Sequence, residues 1–460
     1  MKRVFIFLLI TLQPIFSQNI VTDTIVHELE RKETLFSISQ KYKININDIL
    51  ELNPQLRNSR LKRKSKILIP VIESIQENTL VEKDSLPTED DLLRLDSIFV
   101  KKRKRDNQLN LSVLLPFRSN TVNYDSIEEV ESLFEDRNLY TITLDFYSGI
   151  LYAIEDLREL NVSINLNVFD TDNSINKINE ISSENSVKDS DVIIGPLIPR
   201  NFETFSNIEL LESIPKVFPL STIPIKIIKG VIQSVTPKNL LRERMINYLD
   251  KNLDREENIV IIADSLNIEI ESKLSEIFPN SIKIKPEFEG YILPELLDSL
   301  LVDSLPNNVI VESEIFTLIS SVVSQLNSQI TSERDVKLYT TYRGNQYDDP
   351  SINIKDLGNL AFTYTSISKK INNDSISKFE SRYLNLFGCL PNKDVIRGYD
   401  VTKDILLRAL IDKNLNRTTK YDEQSYTESK FLYKKDTLGG LFNSSMFILR
   451  HREYDIEEII

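Results

Sequence analysis

"KNLLRERMINYLDKNLDREENIVIIAD", Lys238–Asp264, sets the fold class. Residues 238–252 read as a helix, and "NIVIIAD" (258–264) is a short apolar run of strand formers. The same alternation repeats on both sides. "NLSVLLP" (110–116), "VSINLNVFD" (162–170), "DVIIGP" (191–196) and "IPKVFPLST" (214–222) read as strands. Between the first two, Ile142, Phe146, Gly149, Ile150, Ala153, Leu157 and Leu160 share one helical face. Further strand and helix pairs follow at 266–285, 292–312 and 314–341. Such alternation predicts an α/β architecture, a mostly parallel sheet with helices on both faces. The stretch is too long for one such sheet, so two lobes are expected. The tail, 419–460, is β-rich and aromatic, and Gly439-Gly440 reads as a hairpin turn. It is expected to complete the second lobe.

The 460 residues correspond to roughly three domain-sized units. The chain opens MKRVFIFLLITLQPIFSQ, with Lys2 and Arg3 ahead of an apolar run from Val4 to Leu12. This layout predicts a signal peptide, residues 1–18, cleaved after Ser17 or Gln18; a retained N-terminal anchor is the alternative. The run is too short to span a bilayer, and no later stretch is long enough, so no membrane span is expected after cleavage. The expected location is periplasmic or secreted. Cys389 is the one cysteine, which excludes an intrachain disulfide. The 10 glycines all follow residue 148, and no glycine-rich phosphate loop is present.

The net charge of −13 is uneven. Val26–Pro70 holds ten Lys/Arg against five Asp/Glu, six of the basic residues falling in "RNSRLKRKSK", Arg57–Lys66. That module is read either as facing an anionic partner or as carrying a solvated loop. Residues 72–108 form a charged linker, acidic from Glu73 to Phe99 and ending in "KKRKR" at 101–105, expected to be extended or partly helical, and mobile. The basic pentad has the look of a nucleic-acid patch, but the leader argues against a nucleic-acid partner.

The module itself reads as a self-contained unit, about 25–71. A strand, "IVHELE" (25–30), leads to a turn at Arg31-Lys32, and Thr34 is placed to cap the helix that follows. Leu35, Ile38 and Tyr42 share a face, and a second helix carries Ile46, Ile49 and Leu50. Asn53-Pro54 stops it, because proline disfavours helix in the preceding residue. "KILIP" (66–70) closes a β-α-α-β core.

These residues resemble a LysM domain through Val26-x-Glu28-Leu29, Glu33-Thr34-Leu35, Ile38-x-x-x-Tyr42, Ile49-Leu50, Asn53-Pro54, Leu61 and Ile67-x-Ile69-Pro70. The resemblance implies binding of peptidoglycan or another N-acetylglucosamine-containing glycan. Its groove would be formed by Glu33, Thr34 and Leu35 from one loop and Asn53, Pro54, Gln55 and Leu56 from the other. Lys32 and Lys64 stand where the family commonly has turn glycines, which alters loop shape, since lysine adopts positive φ poorly.

The large region, about 109–460, resembles type 1 periplasmic binding proteins through the ordered set "DVIIGPL", "IPKVFPLST", "VIQSVTPKNLLRERMINYL", "NIVIIAD" and "VIRGYDVTKDILLRAL". The resemblance implies a two-lobed flytrap. Lobe 1 would be about 109–236 and 371–413, and lobe 2 about 237–365 with the tail. It also implies a ligand cleft touching Ser221 and Thr222. The loop after "IGP" departs from the family's small hydroxyl residues and instead offers Arg200 and Asn201, which puts amino-acid binding in doubt. Arg200 would either grip a carboxylate or sit at a helix start. Asp400 in "GYD" is read as a support of its lobe.

The functional expectation is a non-catalytic, wall-associated protein whose cleft takes a small ligand or an envelope protein. A solute receptor feeding a transporter and a wall hydrolase are the alternatives. No cofactor, metal or catalytic residue is expected: His27 and His451 are the only histidines, too few for a zinc peptidase. Paired carboxylates for glycan cleavage are not excluded by counting.

Overall fold

A computed structural model describes residues 23–28, 38, 52–53, 65–71, 94–102, 107–123, 125–286, 290–369 and 376–459. The chain divides into two units, Met1–Pro87 and Thr88–Ile460.

In the first unit, β1 (Asp23–Glu28) pairs antiparallel with β2 (Lys66–Val71), from Asp23 opposite Val71 to Glu28 opposite Lys66. Alternation along β2 turns Ile67 and Ile69 into the core and leaves Lys66 and Leu68 outward. Ile38 and Leu52 are helical, and Ile38 is fully buried.

The second unit contains two seven-stranded, mostly parallel sheets. Its strands are β3 (Gln108–Leu115), β4 (Ser163–Asp170), β5 (Val192–Ile194), β6 (Lys216–Phe218), β7 (Val231–Gln233), β8 (Asn258–Ala263), β9 (Ile282–Ile284), β10 (Asn307–Glu312), β11 (Val336–Tyr339), β12 (Thr363–Ser366), β13 (Gln424–Ser425), β14 (Lys430–Phe431), β15 (Tyr433–Lys435), β16 (Leu441–Asn443), β17 (Phe447–Arg452) and β18 (Asp455–Glu458). Lobe 1 orders them β15-β16-β7-β6-β5-β3-β4, and lobe 2 orders them β18-β17-β12-β11-β10-β8-β9. The short central strands are buried along their whole length, as expected where helices cover both faces.

Numbering only helices of eight residues or more, these are α1 (Leu95–Lys102), α2 (Ile127–Glu135), α3 (Leu139–Glu159), α4 (Ile175–Ser182), α5 (Pro199–Ser206), α6 (Lys238–Asn252), α7 (Ile268–Ile277), α8 (Phe316–Ser328), α9 (Lys378–Phe387) and α10 (Lys393–Ile411). In lobe 1, α3 and α10 cross with their backbones in contact. A β-carbon on Gly149 would lie 2.1 Å from the Val395 carbonyl, and one on Gly398 would lie 2.2 Å from that of Phe146. Asp400, fully buried on α10, accepts the backbone N–H groups of Thr427 and Glu428, both at 3.0 Å, and so does support its lobe.

Two expectations differ from the structure. The end of the expected linker is α1, part of the second unit: Leu95 and Phe99 sit in the lobe 1 core, and the Leu95 N–H donates to Gln424 Oε1 at 2.8 Å. Leucine and phenylalanine four residues apart provide one apolar stripe on a short helix, enough to dock it among charged neighbours. The tail does not complete lobe 2 alone. β15 and β16 extend the lobe 1 sheet, joined through the expected Gly439-Gly440 turn, and β17 and β18 extend the lobe 2 sheet. Each lobe's last parallel strand needs an edge partner, and the two hairpins supply one apiece. The chain therefore passes between lobes three times, between β7 and α6, between β12 and α9, and between β16 and β17.

Candidate functional site

In the first unit, Asn53 is 1 % exposed, and its side chain grips one strand residue twice. Asn53 Nδ2 donates to the Leu68 carbonyl at 2.6 Å, and the Leu68 N–H donates to Asn53 Oδ1 at 2.9 Å. The amide imitates a neighbouring strand and ties the residue after the helical Leu52 to β2. Of the expected groove residues, Glu33, Thr34, Leu35, Pro54, Gln55 and Leu56 lie outside the described residues.

In the second unit, the lobes face each other through loops that leave the C-terminal edges of their parallel strands, where ligands of such sheets bind. Lobe 2 builds its edge on buried charge. Glu312, the last residue of β10, is 1 % exposed; it accepts the Thr341 N–H at 2.5 Å, the Thr341 hydroxyl at 2.7 Å and Arg242 Nη1 at 3.0 Å. Burial pushes its carboxyl above the usual range, against the pull of the Arg242 guanidinium. Arg242 Nη2 also donates to Asn267 Oδ1 at 2.8 Å, and Asp264 accepts the Ser313 hydroxyl at 2.6 Å. The loops after β8, β10 and β11 are thus cross-linked. Above them stands Tyr342, with Lys238 Nζ 4.3 Å from its ring centroid and Lys238 in turn paired with Glu314.

Lobe 1 presents the four residues expected in the cleft, each in a different setting. Arg200 lies in the first turn of α5 and is exposed. Asn201 is buried and donates to Asn173 Oδ1 at 2.8 Å, within its own lobe. The Ser221 hydroxyl accepts the Ile223 N–H at 3.1 Å. The Thr222 hydroxyl lies 2.9 Å from the Tyr342 hydroxyl of lobe 2. Among the described residues no hydrogen bond or ion pair joins Arg200 or Asn201 to Ser221 or Thr222. Sequence reasoning passed over Tyr342, Arg242 and Glu312. The available signal was position: "TTYR" (340–343) follows directly on a buried strand, at the edge where cleft loops begin.

No group of His, Cys, Asp and Glu among the described residues is placed to hold a metal ion. No helix among them is long and apolar enough to cross a membrane.

Two mostly parallel seven-stranded sheets in two lobes joined by three crossings define the type 1 periplasmic-binding-protein-like class of fold. A Rhodospirillum rubrum structure described as a branched-chain amino acid ABC transporter aligns with a TM-score of 0.53 at 12 % identity, over 76 % of this chain and 100 % of that one. LpoA from Haemophilus influenzae aligns at 0.48 with 11 % identity, over 77 % of this chain and 59 % of its own. The leucine-binding protein LivK from Thermotoga maritima aligns at 0.42 with 16 % identity, over 76 % and 98 %. Residues 27–70 match the LysM domain family, so the chain carries a LysM domain ahead of its two-lobed domain. A comparison with curated proteins gives no match.

Proposed function

We propose that this is a non-catalytic envelope protein, acting outside the cytoplasm, that holds peptidoglycan through residues 27–70 and uses its two-lobed domain to bind a small ligand or another envelope protein. The observation that carries the reading is the LysM match joined in one chain to a flytrap fold. Both parts are binding modules, and neither needs an activated nucleophile or a metal-bound water. On this reading Glu33, Thr34, Leu35, Pro54, Gln55 and Leu56 line the glycan groove. Asn53 has its amide committed to Leu68, which supports a positioning role for it beneath that groove. In the flytrap, Arg200 is the exposed cation of the four cleft residues, while Asn201, Ser221 and Thr222 shape the loops around it.

Sedimentation of the full chain with purified sacculi tests the first half. The protein is expected in the pellet at low and high salt, and a Leu35→Asp variant in the supernatant. Recovery of the unaltered protein in the supernatant at both salt levels overturns the proposal. Binding that disappears at high salt assigns it to the basic run Arg57–Lys66 instead of the groove.

A further inference from the structure

Thr222 is held from the opposite lobe by two bonds. Its hydroxyl meets the Tyr342 hydroxyl at 2.9 Å, and its carbonyl accepts the Lys238 N–H at 2.8 Å. Both partners belong to lobe 2 elements, Lys238 to the first residue of α6 and Tyr342 to the loop after β11. Neither side of this contact is a loose side chain. On lobe 2, Thr341 is pinned to the buried Glu312 by its N–H and its hydroxyl, and the Thr340 hydroxyl donates to the Tyr342 carbonyl at 3.2 Å. The Tyr342 ring is further steadied by Lys238 over its face. On lobe 1, Gln233 Nε2 donates to the carbonyls of Ser221 and Ile223, at 3.2 and 2.9 Å, so the loop carrying Thr222 is braced from β7. Two braced loops therefore meet where the lobes join.

We propose that Tyr342 and Thr222 form a clasp that holds the lobes together. The crossings between lobes permit them to rotate, and the clasp biases that equilibrium toward the closed arrangement. A Tyr–Thr hydrogen bond is suited to this: it costs little to break and has a single geometry. The Lys238–Thr222 backbone bond lies beside the first crossing, where it acts as the pivot, and the side-chain bond acts as the catch. The proposed binding function enters only in the final consequence: a ligand that needs the Thr222 hydroxyl must first displace Tyr342, so the clasp sets a threshold for entry.

The test requires no ligand, so its failure is distinct from failure of the binding proposal. Cys389 is free and exposed on the lobe 1 side, and Lys355→Cys adds a second exposed thiol on lobe 2. Spin labels on the two, in the full chain, report the lobe-to-lobe distance by pulsed electron resonance. Tyr342→Phe keeps the ring over Lys238 and removes only the hydroxyl; Thr222→Val removes the other. Each is expected to raise the open-to-closed ratio about fivefold, the scale of one hydrogen bond, and the double variant to exceed neither. A distance distribution unchanged by Tyr342→Phe, or single effects that add in the double variant, overturns the clasp. Circular dichroism of each variant separates a shifted lobe equilibrium from a damaged fold.

Discussion

His451 is expected to make this protein lose stability between pH 6.5 and 4, and His451→Phe is expected to remove that loss. The imidazole is 3 % exposed on β17, with ring centroids 5.7 Å from Phe362 and 5.8 Å from Tyr364. Neither ring nitrogen has a hydrogen-bond partner among the described residues. Burial pushes its pKa from the ordinary 6.5 down to about 4; the Arg343 guanidinium adds to the effect and Asp348 opposes it. A base whose pKa is depressed on folding binds fewer protons in the folded state, so stability is fully present above 6.5 and falls as pH drops toward the folded value. One pH unit of such a difference is worth about 1.4 kcal/mol. About 2 kcal/mol is therefore gone by pH 5 and about 3 kcal/mol by pH 4. Urea unfolding followed by far-UV circular dichroism, at intervals from pH 7.5 to 4.5, measures the loss. His451→Phe places an apolar ring beside Phe362 and Tyr364 and strands no polar group. Its stability is expected to match or exceed that of the parent at pH 7.5 and to diverge upward by about 2 kcal/mol at pH 5. His27 and the carboxylates are common to both proteins and cancel in the difference. Parallel curves across the whole interval would refute the reasoning.

Other substitutions probe different parts of the molecule. Gly149→Ala or Gly398→Ala forces α3 and α10 apart, because the added methyl meets a backbone carbonyl; each is expected to cost about 3 kcal/mol, read as a lowered midpoint in the same urea titration. Arg408→Met leaves Asp404, which Arg408 engages through Nε at 2.8 Å and Nη2 at 3.1 Å, buried without its cation. A loss of about 3–5 kcal/mol is expected, and a fully retained midpoint would show that the Tyr426 hydroxyl alone satisfies that carboxylate. Asn53→Ala removes both bonds to Leu68 and is expected to cost the first unit about 2 kcal/mol. Faster amide exchange at 66–71, with no change in the second unit, is the readout.

The α/β alternation was legible because each strand of the parallel sheets is a compact apolar run flanked by helical periodicity. Residues 238–252 form the helix read from the sequence, and 258–264 holds the strand. The tail was legible as β structure but not as a shared element. Short hairpins, with strands of three residues in β15 and β16 and of six and four in β17 and β18, carry no signal for which sheet they join, and that choice depends on which edge stands bare. α1 was hidden for a related reason: its apolar stripe is Leu95 and Phe99, one turn long, between charges that resemble a linker. Asn53 was readable as a helix stop, yet its partner, fifteen residues onward on a strand, was not. Thr222 was reachable through its motif, whereas Tyr342 offered only its position just after a buried strand, because a contact between two lobes leaves no pairing pattern in either segment.

The split tail places a demand on how the chain is made. β7 ends at Gln233, but its outer neighbour β16 begins at Leu441; β12 ends at Ser366, and its neighbour β17 begins at Phe447. A chain that emerges N-terminus first thus carries two unsealed sheet edges until residues 441–458 arrive. Such edges invite pairing with any passing strand. Both lobes are sealed by one stretch, so removing residues 441–458 would unseal the pair together.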